Sequence, residues 1–491
     1  MGVTGLLMMV FIANFVQKYK PKQLMNNKTL IVGACLAVAG SLNAQNKDGG
    51  ISLQMLQQIQ QHGKQTTAER AIANAIATNS IDELARTPQS RADVDAYFSV
   101  ETPKQNIQNQ KSSGRCWMFT GLNVLRADFA LRSDSLTVEY SHTYLFFYDQ
   151  LEKANLMLQS VVDCAKKPIN DPEVQFFFKH PLNDGGTFCG VADLAEKYGL
   201  VPKNVMPETY SSENSNRMSK LISSKLREFG LELRKMVAAK AKPAQILERK
   251  TQMLATVYKM LALTLGEPVK SFEYAFKNKE GKAITPIETY TPKQFYDKTV
   301  GRSLNDNIIM VMNDPRNAYY KVYEVKHDRH TYDGHNWRYL NLPMEEIHKM
   351  AIASLKAGHK MYTSYDVGKQ LDRSKGYLDL NNFDYGPLFG TTFPMNKADR
   401  IATFDSGSTH AMTLTAVDLD SQGKALKWEV ENSWGADNGH KGYLIMSNNW
   451  FNEFFFRLVI DKQYVPADIQ KMAAQTPIML SYDDPVFADD L

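Results

Sequence analysis

The sequence has few cysteines, little net charge and no apolar run long enough to cross a membrane as a helix. Four cysteines in 491 residues exclude a small scaffold held together by disulfides. The 57 basic and 53 acidic residues leave a net charge of +4, which is too small to make nucleic acid or an anionic membrane the main partner. The HExxH, P-loop and GxGxxG motifs are also missing, so we predict no metal and no cofactor.

The length and the 43% hydrophobic content allow a large core and suggest about two to three domains. Helical patterns lead, short β-type runs come last, and a long helical stretch lies between them. This order predicts an α+β protein whose site lies between two lobes. The expected parts are a signal segment at 1–44, a helical extension at 45–94, a helical lobe at 95–205, a helical and mixed insertion at 206–345, a β-rich lobe at 346–474 and a C-terminal arm at 475–491.

The first 45 residues have the pattern of an export signal. A short positively charged lead beginning at Met25 precedes the apolar run Thr29–Leu42, and the small residue Ala44 offers a cleavage point before Gln45. We therefore expect translation to start at Met25 and the protein to be exported, with no stable membrane span after cleavage. A membrane or interfacial anchor and a lipoprotein signal ending at Cys35 stay open as alternatives.

A cysteine follows a turn-like segment and begins a helical pattern. Cys116 comes directly after Ser112–Arg115, and apolar residues recur at helical spacing between Trp117 and Leu131. At the N-terminus of a helix, the dipole and the unbonded N–H groups favour the thiolate, which is the reactive form of cysteine. Taken alone, such a cysteine is more often a buried small hydrophobic residue.

Two later segments complete a possible catalytic set. His410 enters a β-type run, and Asn432 precedes a Trp and a Gly; singly, these are an ordinary strand histidine and a turn. Together with Cys116 they fit a nucleophilic thiolate, an imidazole that protonates the leaving amine and an amide that orients the imidazole. The side-chain amide of Gln110, six residues before Cys116, could join the Cys116 backbone N–H as an oxyanion donor.

In these segments the sequence resembles the papain-like cysteine peptidases, and among them the bleomycin hydrolase and aminopeptidase C branch. The resemblance runs from about residue 95 to the C-terminus. Its matching stretches, in chain order, are Gln108–Trp117, Asn183–Gly186, Glu196–Lys203, Asp366–Lys369, Thr409–Met412 and Glu431–Gly435. The resemblance implies a papain-like, two-lobed α+β fold with a large helical insertion and a C-terminal arm in the cleft.

The same resemblance implies a role for each member of the catalytic set. Cys116 is the nucleophile, His410 the base and acid, Asn432 the orienting residue and Gln110 the oxyanion donor. No metal ion and no cofactor take part in this chemistry. A papain-fold scaffold without activity is the weaker interpretation, because all four residues are present.

Three further residues are expected to serve the substrate. Trp434 would shield the His–Asn hydrogen bond from water. Gly185 and Gly186 match the family's strand that pairs with the substrate backbone, and glycine suits this because it lets another backbone approach closely. The alternative for the glycine pair is a plain turn.

Two departures from papain itself favour the bleomycin hydrolase branch. Papain-type sequences carry a cysteine three residues before the nucleophile, where this chain has Ser113. They also place the histidine about 130–150 residues after the nucleophile. Here His410 follows Cys116 by 294 residues, and the helical insertion accounts for the surplus.

The acidic C-terminus bears on which end of a peptide is cut. By resemblance, the arm lies in the cleft and its terminal carboxylate, at Leu491, contacts the free amine of the substrate. Asp489 and Asp490 add negative charge, which favours a cationic N-terminus. In isolation such a tail is more often solvated and disordered, which would leave an endopeptidase. The family's tail reads Trp-Asp-Pro-Met-Gly where this chain has Asp483–Phe487, so side-chain preference stays open.

The function predicted by the resemblance is therefore a cysteine aminopeptidase that works through a thioacyl-enzyme intermediate. Its expected partners are peptides with a free N-terminus, and no nucleic acid is required. The family implies a homo-hexamer. The family is best known from the cytosol, so a cytoplasmic or lipid-anchored protein remains the alternative to export.

Two other groups of residues have a plainer interpretation. His327, His330 and His335 lie within nine residues and could ligate a metal, but their Tyr- and charge-rich context favours a surface loop or an oligomer contact. Cys164 and Cys189 could form a disulfide in an exported protein, and otherwise both are structural.

Overall fold

The computed structural model describes residues 49–133 and 136–490. Described residues up to Asn79 form one compact unit and those from Ser80 onwards form another. The first unit holds helices α1 (Leu53–His62) and α2 (Thr67–Ile76). Each begins at a hydroxyl, of Ser52 and Thr66, that accepts a hydrogen bond from the first turn. The expected signal segment lies outside the described residues.

Within the described ranges, the helices do not include one that has both the length and the apolar character to span a bilayer.

The second unit begins with helices and carries its longest ones in its first half. Its helices are α3 (Ile81–Ala85), α4 (Cys116–Arg132), α5 (His142–Asp163), α6 (Pro172–Lys179), α7 (Phe188–Tyr198), α8 (Tyr210–Glu213), α9 (Asn216–Ala238), α10 (Pro243–Leu265), α11 (Pro292–Thr299), α12 (Leu304–Asn307), α13 (Met344–Lys356), α14 (Tyr385–Phe389), α15 (Lys397–Ala402), α16 (Asn448–Phe454) and α17 (Ala467–Ala473). Short 3₁₀ helices lie at Gln89–Arg91, Lys462–Tyr464 and Pro485–Asp490.

Most strands come after residue 300. They are β1 (Val100–Glu101), β2 (Phe272–Tyr274), β3 (Glu288–Tyr290), β4 (Ile308–Met312), β5 (Lys321–Val325), β6 (Arg338–Asn341), β7 (Met361–Tyr365), β8 (Leu371–Asp372), β9 (Tyr377–Leu378), β10 (His410–Leu419), β11 (Ala425–Glu431), β12 (Tyr443–Ser447), β13 (Phe455–Asp461) and β14 (Ile478–Leu480). One sheet has the order β14-β5-β6-β4-β13-β7-β10-β11-β12-β9-β8, with β1 on β10, and β2 pairs with β3 apart from it.

The two faces of the large sheet belong to different hydrophobic cores. On β13, Leu458 and Ile460 pack into one core and Val459, between them, packs into the other. Successive strand residues point to opposite faces, so the cores lie on opposite sides of the sheet. One core is mainly helical and contains Trp117 of α4, and the other contains Trp428 of β11. A mainly helical core and a core built on the sheet are what the α+β prediction requires.

The predicted helical insertion contains a pair of long helices. Both α9 and α10 pack against α5, and they also contact each other. On α9, Met218, Ile222, Leu226 and Leu233 form the buried stripe while the lysines face outwards, as expected for an amphipathic helix. The domain boundaries drawn from the sequence around this insertion remain predictions.

Candidate active site

Cys116 occupies the first position of α4, as the sequence pattern predicts. Asp184, distant in sequence, holds the turn before Cys116, because the Gly114 N–H donates to Asp184 Oδ2 at 2.7 Å. The indole N–H of Trp117 donates to the Asp184 carbonyl at 2.9 Å. Arg115, fully buried, pairs with Glu208 at 2.9 Å. These contacts fix the thiol at the helix N-terminus, where the dipole stabilises negative charge.

His410 and Asn432 come together through the pairing of β10 with β11. Thr413 lies opposite Glu431 in this antiparallel pair, so His410, three residues earlier, is diagonal to Asn432, one residue later. The His410 Nε2 is 2.8 Å from Asn432 Oδ1. That amide oxygen also accepts the Ser433 N–H at 2.8 Å, which fixes which end of the amide faces the ring. The imidazole therefore donates from Nε2 and keeps Nδ1 for another partner.

Trp434 covers the imidazole. The two ring centroids are 5.0 Å apart with 29° between the ring planes. The Arg373 guanidinium lies over the Trp434 ring, 5.2 Å from its centroid. Burial lowers the pKa of His410 to about 4, and the positive charge of Arg373 acts in the same direction. The Asn432 hydrogen bond opposes both effects. A neutral imidazole is thus favoured unless a negative charge is supplied beside it.

Gln110 is held by the segment that follows Asn432. Its side-chain Oε1 accepts from the Ser433 hydroxyl at 2.6 Å, and its backbone N–H donates to the Ser433 carbonyl at 2.8 Å. The amide nitrogen donates to the Ser113 carbonyl at 2.6 Å. Since a primary amide carries two N–H donors, one remains to face the cleft.

A cleft of about 240 Å³ brings the predicted residues of both lobes together. Its lining contains Gln110, Cys116, Asp184, Gly185, Gly186, Tyr362, Ser364, Ser408, Thr409, His410 and Arg457, among others. Cys116 contributes from the helical lobe and His410 from the sheet. A thiol at a helix N-terminus, an imidazole held by an amide and a fixed amide donor share one space, which is what nucleophilic acyl transfer requires.

Gly185 and Gly186 form the cleft wall opposite the sheet. The Gly185 carbonyl accepts from Lys153 Nζ at 2.6 Å, and the same ammonium donates to the Asn183 carbonyl at 3.2 Å. A side chain at Gly186 would overlap the His330 ring and reach within 2.9 Å of the Trp117 ring. Glycine is therefore required here by the protein behind the segment, whatever binds in front of it.

Residues 327–335 form an irregular loop with an exposed His335, but His330 within this loop is only 2% exposed. Its Nδ1 is 2.6 Å from Asp149 Oδ1, and its Nε2 accepts the Thr187 N–H at 3.3 Å. The ring packs on Trp117 with centroids 4.5 Å apart. The long-range pairing with Asp149 ties this part of the loop to the helical core.

The other two histidines of this segment point to different partners. His327 bonds Glu173 at 2.7 Å and His335 bonds Asp193 at 2.7 Å. Three histidines with three separate carboxylates do not converge on one ion. Within the described ranges, no group of three His, Cys, Asp or Glu side chains has the arrangement of a metal site.

Sequence reasoning missed several residues that shape the cleft, notably Lys153, Arg373 and Arg457, and it assigned His330 no place beside the cleft. A weak signal existed for Lys153, because it follows Asp149 by one helical turn, and the two pair at 3.2 Å. The others act through contacts far apart in sequence. Leu491, predicted to contact the substrate, lies outside the described residues.

The two remaining cysteines of the described residues are thiols. Cys189 Sγ lies 2.9 Å from the Thr187 hydroxyl and is fully buried, and Cys164 Sγ contacts the Val161 carbonyl. Burial raises the pKa of both thiols, which makes them poor nucleophiles.

Comparison with known proteins identifies the family. Residues 50–487 match the Peptidase C1-like family. The chain is 38% identical to aminopeptidase C of Lactobacillus delbrueckii subsp. lactis, over 85% of this chain and 93% of that protein. It is also 38% identical to bleomycin hydrolase of Homo sapiens, over 82% of this chain and 90% of that protein. The crystal structure of PepW from Lactobacillus rhamnosis HN001 matches with a TM-score of 0.82 and 38% identity, over 90% of this chain and 99% of that one. This chain therefore belongs to the Peptidase C1-like family and is a cysteine peptidase with a papain-like α+β fold.

Proposed function

We propose that this protein is an aminopeptidase that hydrolyses N-terminal residues from peptides through a thioacyl intermediate on Cys116. The observation that carries the chemistry is the shared cleft of Cys116, Gln110 and His410, with Asn432 bonded to the imidazole at 2.8 Å. The names of the relatives, aminopeptidase C and bleomycin hydrolase, support the choice of a peptidase that trims N-termini.

In the acylation step, the Cys116 thiolate attacks the carbonyl carbon of the first peptide bond. A C–S bond forms and the carbonyl oxygen takes the negative charge, which the Cys116 N–H and Gln110 Nε2 stabilise by hydrogen bonds. The His410 imidazolium then gives its proton to the leaving amine as the C–N bond breaks. Asn432 keeps the ring oriented throughout, and Trp434 covers the ring from water.

In the deacylation step, water attacks the thioester while neutral His410 takes its proton. The C–S bond breaks, the sulfur departs as a thiolate beside the new imidazolium, and the amino acid leaves as a carboxylic acid that loses its remaining proton to solvent. This charge pair explains how an imidazole with a depressed pKa can carry a proton, because the thiolate supplies the missing negative charge. No cofactor or metal ion is part of either step.

Selection for a free amine is assigned to the C-terminal arm. The terminal carboxylate at Leu491, with Asp489 and Asp490 beside it in the sequence, would attract a substrate ammonium and leave no room for a longer N-terminal extension. The described part of the arm supports this assignment. Phe487 and the two glycines Gly185 and Gly186 line one small cavity, so the arm reaches the wall of the cleft.

The decisive experiment compares an aminoacyl coumarin amide with its N-acetylated counterpart, using Cys116→Ala as the blank. We expect cleavage of the free amine and little cleavage of the acetylated form. Comparable cleavage of both would keep the cysteine peptidase but replace the aminopeptidase by an endopeptidase. Failure of an epoxide thiol trap to label Cys116 would point instead to an inactive scaffold.

Export and assembly belong to the same proposal. The segment at 25–44 supports export, and the intact mass of secreted protein should begin at Gln45, allowing for cyclisation of that residue. The family resemblance supports a homo-hexamer, which sedimentation velocity would detect. Protein that stays in the cytoplasm with Met25 as its first residue would contradict export. A monomer in solution would contradict the hexamer.

A further inference from the structure

A second cavity, of about 390 Å³, lies beside the second half of α4. Its lining comes from α4, from the segments just before and after that helix, from the loop between β2 and β3, and from the residues that precede β7. None of these lining residues also lines the cleft of Cys116. Arg126 of this cavity follows Cys116 by ten residues on the same helix, which is about 15 Å along the axis. The two spaces are therefore separate and are connected by one helix.

Two buried cations in the lining share one carboxylate. Arg126 is 4% exposed and Lys360 is 3% exposed. Arg126 Nη2 donates to Glu431 Oε1 at 2.6 Å, and Lys360 Nζ donates to Glu431 Oε2 at 2.8 Å. The Arg126 Nε is buried and has no hydrogen-bond partner among the described residues. One carboxylate for two cations leaves one positive charge without a counterion, so a bound anion would be stabilised here.

The remaining charges of the lining do not reverse this balance. Lys104 lies 2.8 Å from Glu101 and 3.8 Å from Glu429, and Lys279 is exposed. Burial raises the pKa of Glu429 to about 7, so this carboxyl is only partly charged at neutral pH. In the described lining, the four cationic side chains stand against a single carboxylate, that of Glu139.

The cavity also offers apolar surface and hydrogen-bond acceptors. The apolar members of the lining are Pro103, Ala127, Ala130, Leu131 and Val138. The Gln105 Oε1 is buried without a hydrogen-bond partner in the part of the chain that the structure describes, and it and the Glu139 carboxylate could accept from an ammonium. The volume lies within the range of about 300–1,000 Å³ that is usual for small-molecule sites. A carboxylate, an ammonium and an apolar side chain together describe an apolar α-amino acid.

The same carboxylate connects this cavity to the active site. Glu431 is followed directly by Asn432, which is 2.8 Å from the His410 imidazole. Arg126 holds Glu431 from the helix that begins with Cys116, and Lys360 holds it from the residue before β7. A ligand carboxylate that takes donors from Arg126 or Lys360 would weaken their hold on Glu431 and shift Asn432.

We propose that this cavity is a regulatory site for a free apolar α-amino acid, whose carboxylate pairs with Arg126 and Lys360. Occupancy lowers activity, because it moves Asn432 away from the position in which it orients His410. Amino acids of this kind are released by an aminopeptidase, so the site provides feedback by product. That last identification rests on the proposed function, whereas the site itself does not.

Titration calorimetry of leucine into the Cys116→Ala protein measures binding without turnover. We expect binding with a Kd below about 10 mM. Leucinol lacks the carboxylate and glycine lacks the apolar side chain, so each should bind at least about tenfold more weakly. Absence of leucine binding, or equal binding of leucinol, would overturn the proposal.

Two further substitutions in the Cys116→Ala protein locate the bound leucine. Lys360→Met leaves Glu431 paired with Arg126, so no carboxylate is orphaned, and Ala130→Phe fills the cavity. Each should weaken leucine binding about tenfold or more.

Lys282→Met and Ala238→Phe, at exposed positions outside the lining, are the matched controls and should bind like the parent. If both cavity variants bind leucine as the controls do, the amino acid sits elsewhere and the proposal is wrong. Should Lys360→Met fail to fold in a thermal scan, Ala130→Phe decides.

Kinetics of the active enzyme on a free-amine substrate tests the regulation. Saturating leucine should lower kcat about fivefold or more and leave KM within about twofold, since the ligand does not occupy the cleft. In active enzyme carrying Ala130→Phe, the same leucine concentration should leave kcat unchanged. Leucine that raises KM alone, or that changes neither constant, overturns the regulation. If the free-amine substrate is not cleaved at all, the proposed function fails, and calorimetry still decides whether the site exists.

Discussion

Two buried histidines flank the cleft, and their partners differ. His410, on the sheet, is 6% exposed and bonds the neutral amide of Asn432 at 2.8 Å. His330, in the helical lobe, bonds the carboxylate of Asp149 at 2.6 Å, next to the ammonium of Lys153. Burial lowers the pKa of both imidazoles. The two histidines differ in their access to the cleft. Among the described residues, the lining of the cleft includes His410 and Cys116 but not His330.

The comparison shows how a partner sets the task of a buried imidazole. An amide orients the His410 ring without neutralising a positive charge on it, so that charge depends on the Cys116 thiolate. His330 has its charges balanced locally and fills the space behind Gly186. We therefore expect His410 to transfer protons. We expect His330, Asp149 and Lys153 to hold the segment of Gly185 and Gly186 in place, and the following substitutions separate the two roles.

His410→Ala should have the largest effect. Without the imidazole, neither the leaving amine nor the attacking water exchanges a proton, so kcat/KM should fall by about 10⁴-fold. The melting temperature should stay close to that of wild type, which a thermal scan checks. Retention of a tenth of the activity would remove His410 from the mechanism, and Cys116→Ala supplies the background rate.

Asn432→Ala should cost less, about 10- to 100-fold in kcat/KM, because the amide orients the imidazole and does not react. Steady-state kinetics on the free-amine substrate would measure it. A loss as large as that of His410→Ala would show that the amide does more than orient the ring.

Lys153→Met tests the helical side of the comparison. Loss of the Nζ bonds to the Gly185 and Asn183 carbonyls should loosen the glycine wall and raise KM about tenfold, with kcat within about twofold. Alkylation of Cys116 by iodoacetamide should be unchanged. Lys166→Met, at an exposed lysine beyond the end of α5, is the control. An unchanged KM in Lys153→Met would argue against a role of this wall in substrate binding.

The smallest effect concerns proton binding by His410 when its thiolate partner is removed. Burial lowers the pKa of His410 to about 4, below the ordinary value of 6.5, and Cys116→Ala should keep it there because no thiolate is present to raise it. The unfolded chain therefore binds more protons between these values, and the free energy of unfolding should decrease as the pH falls from about 6.5 to 4. NMR titration of the His410 ring in this variant should give a midpoint near 4. A midpoint near 6.5 would contradict the burial argument.

Local sequence patterns predicted much of the fold near the site. The helix that starts at Cys116 and the strand that His410 enters were both readable from hydrophobic spacing and turn residues. These features depend on neighbours within a few positions. The roles assigned to Cys116, His410, Asn432 and Gln110 stay predictions until the variants are made.

The burial of His330 shows where such reasoning ends. The Tyr- and charge-rich context of His327, His330 and His335 favoured a surface loop or an oligomer contact, yet within that loop His330 is buried against a partner 181 residues away. Likewise, Gly186 was expected to pair with the substrate backbone or to form a plain turn, and the structure adds that His330 and Trp117 fill the space behind it. Neither contact has a local signature, because both join helices and loops that meet only in the folded chain.

By itself, the sequence determined the α+β order, the thiol at a helix start and the family to which the chain belongs, because these depend on residue type and short-range spacing. The tertiary structure alone decided which side chains share the cleft, which histidine has access to it, and that Arg316 and Arg457 hold the C-terminal arm. Those outcomes depend on packing between segments hundreds of residues apart, where burial and charge pairing are set by neighbours that no local pattern contains.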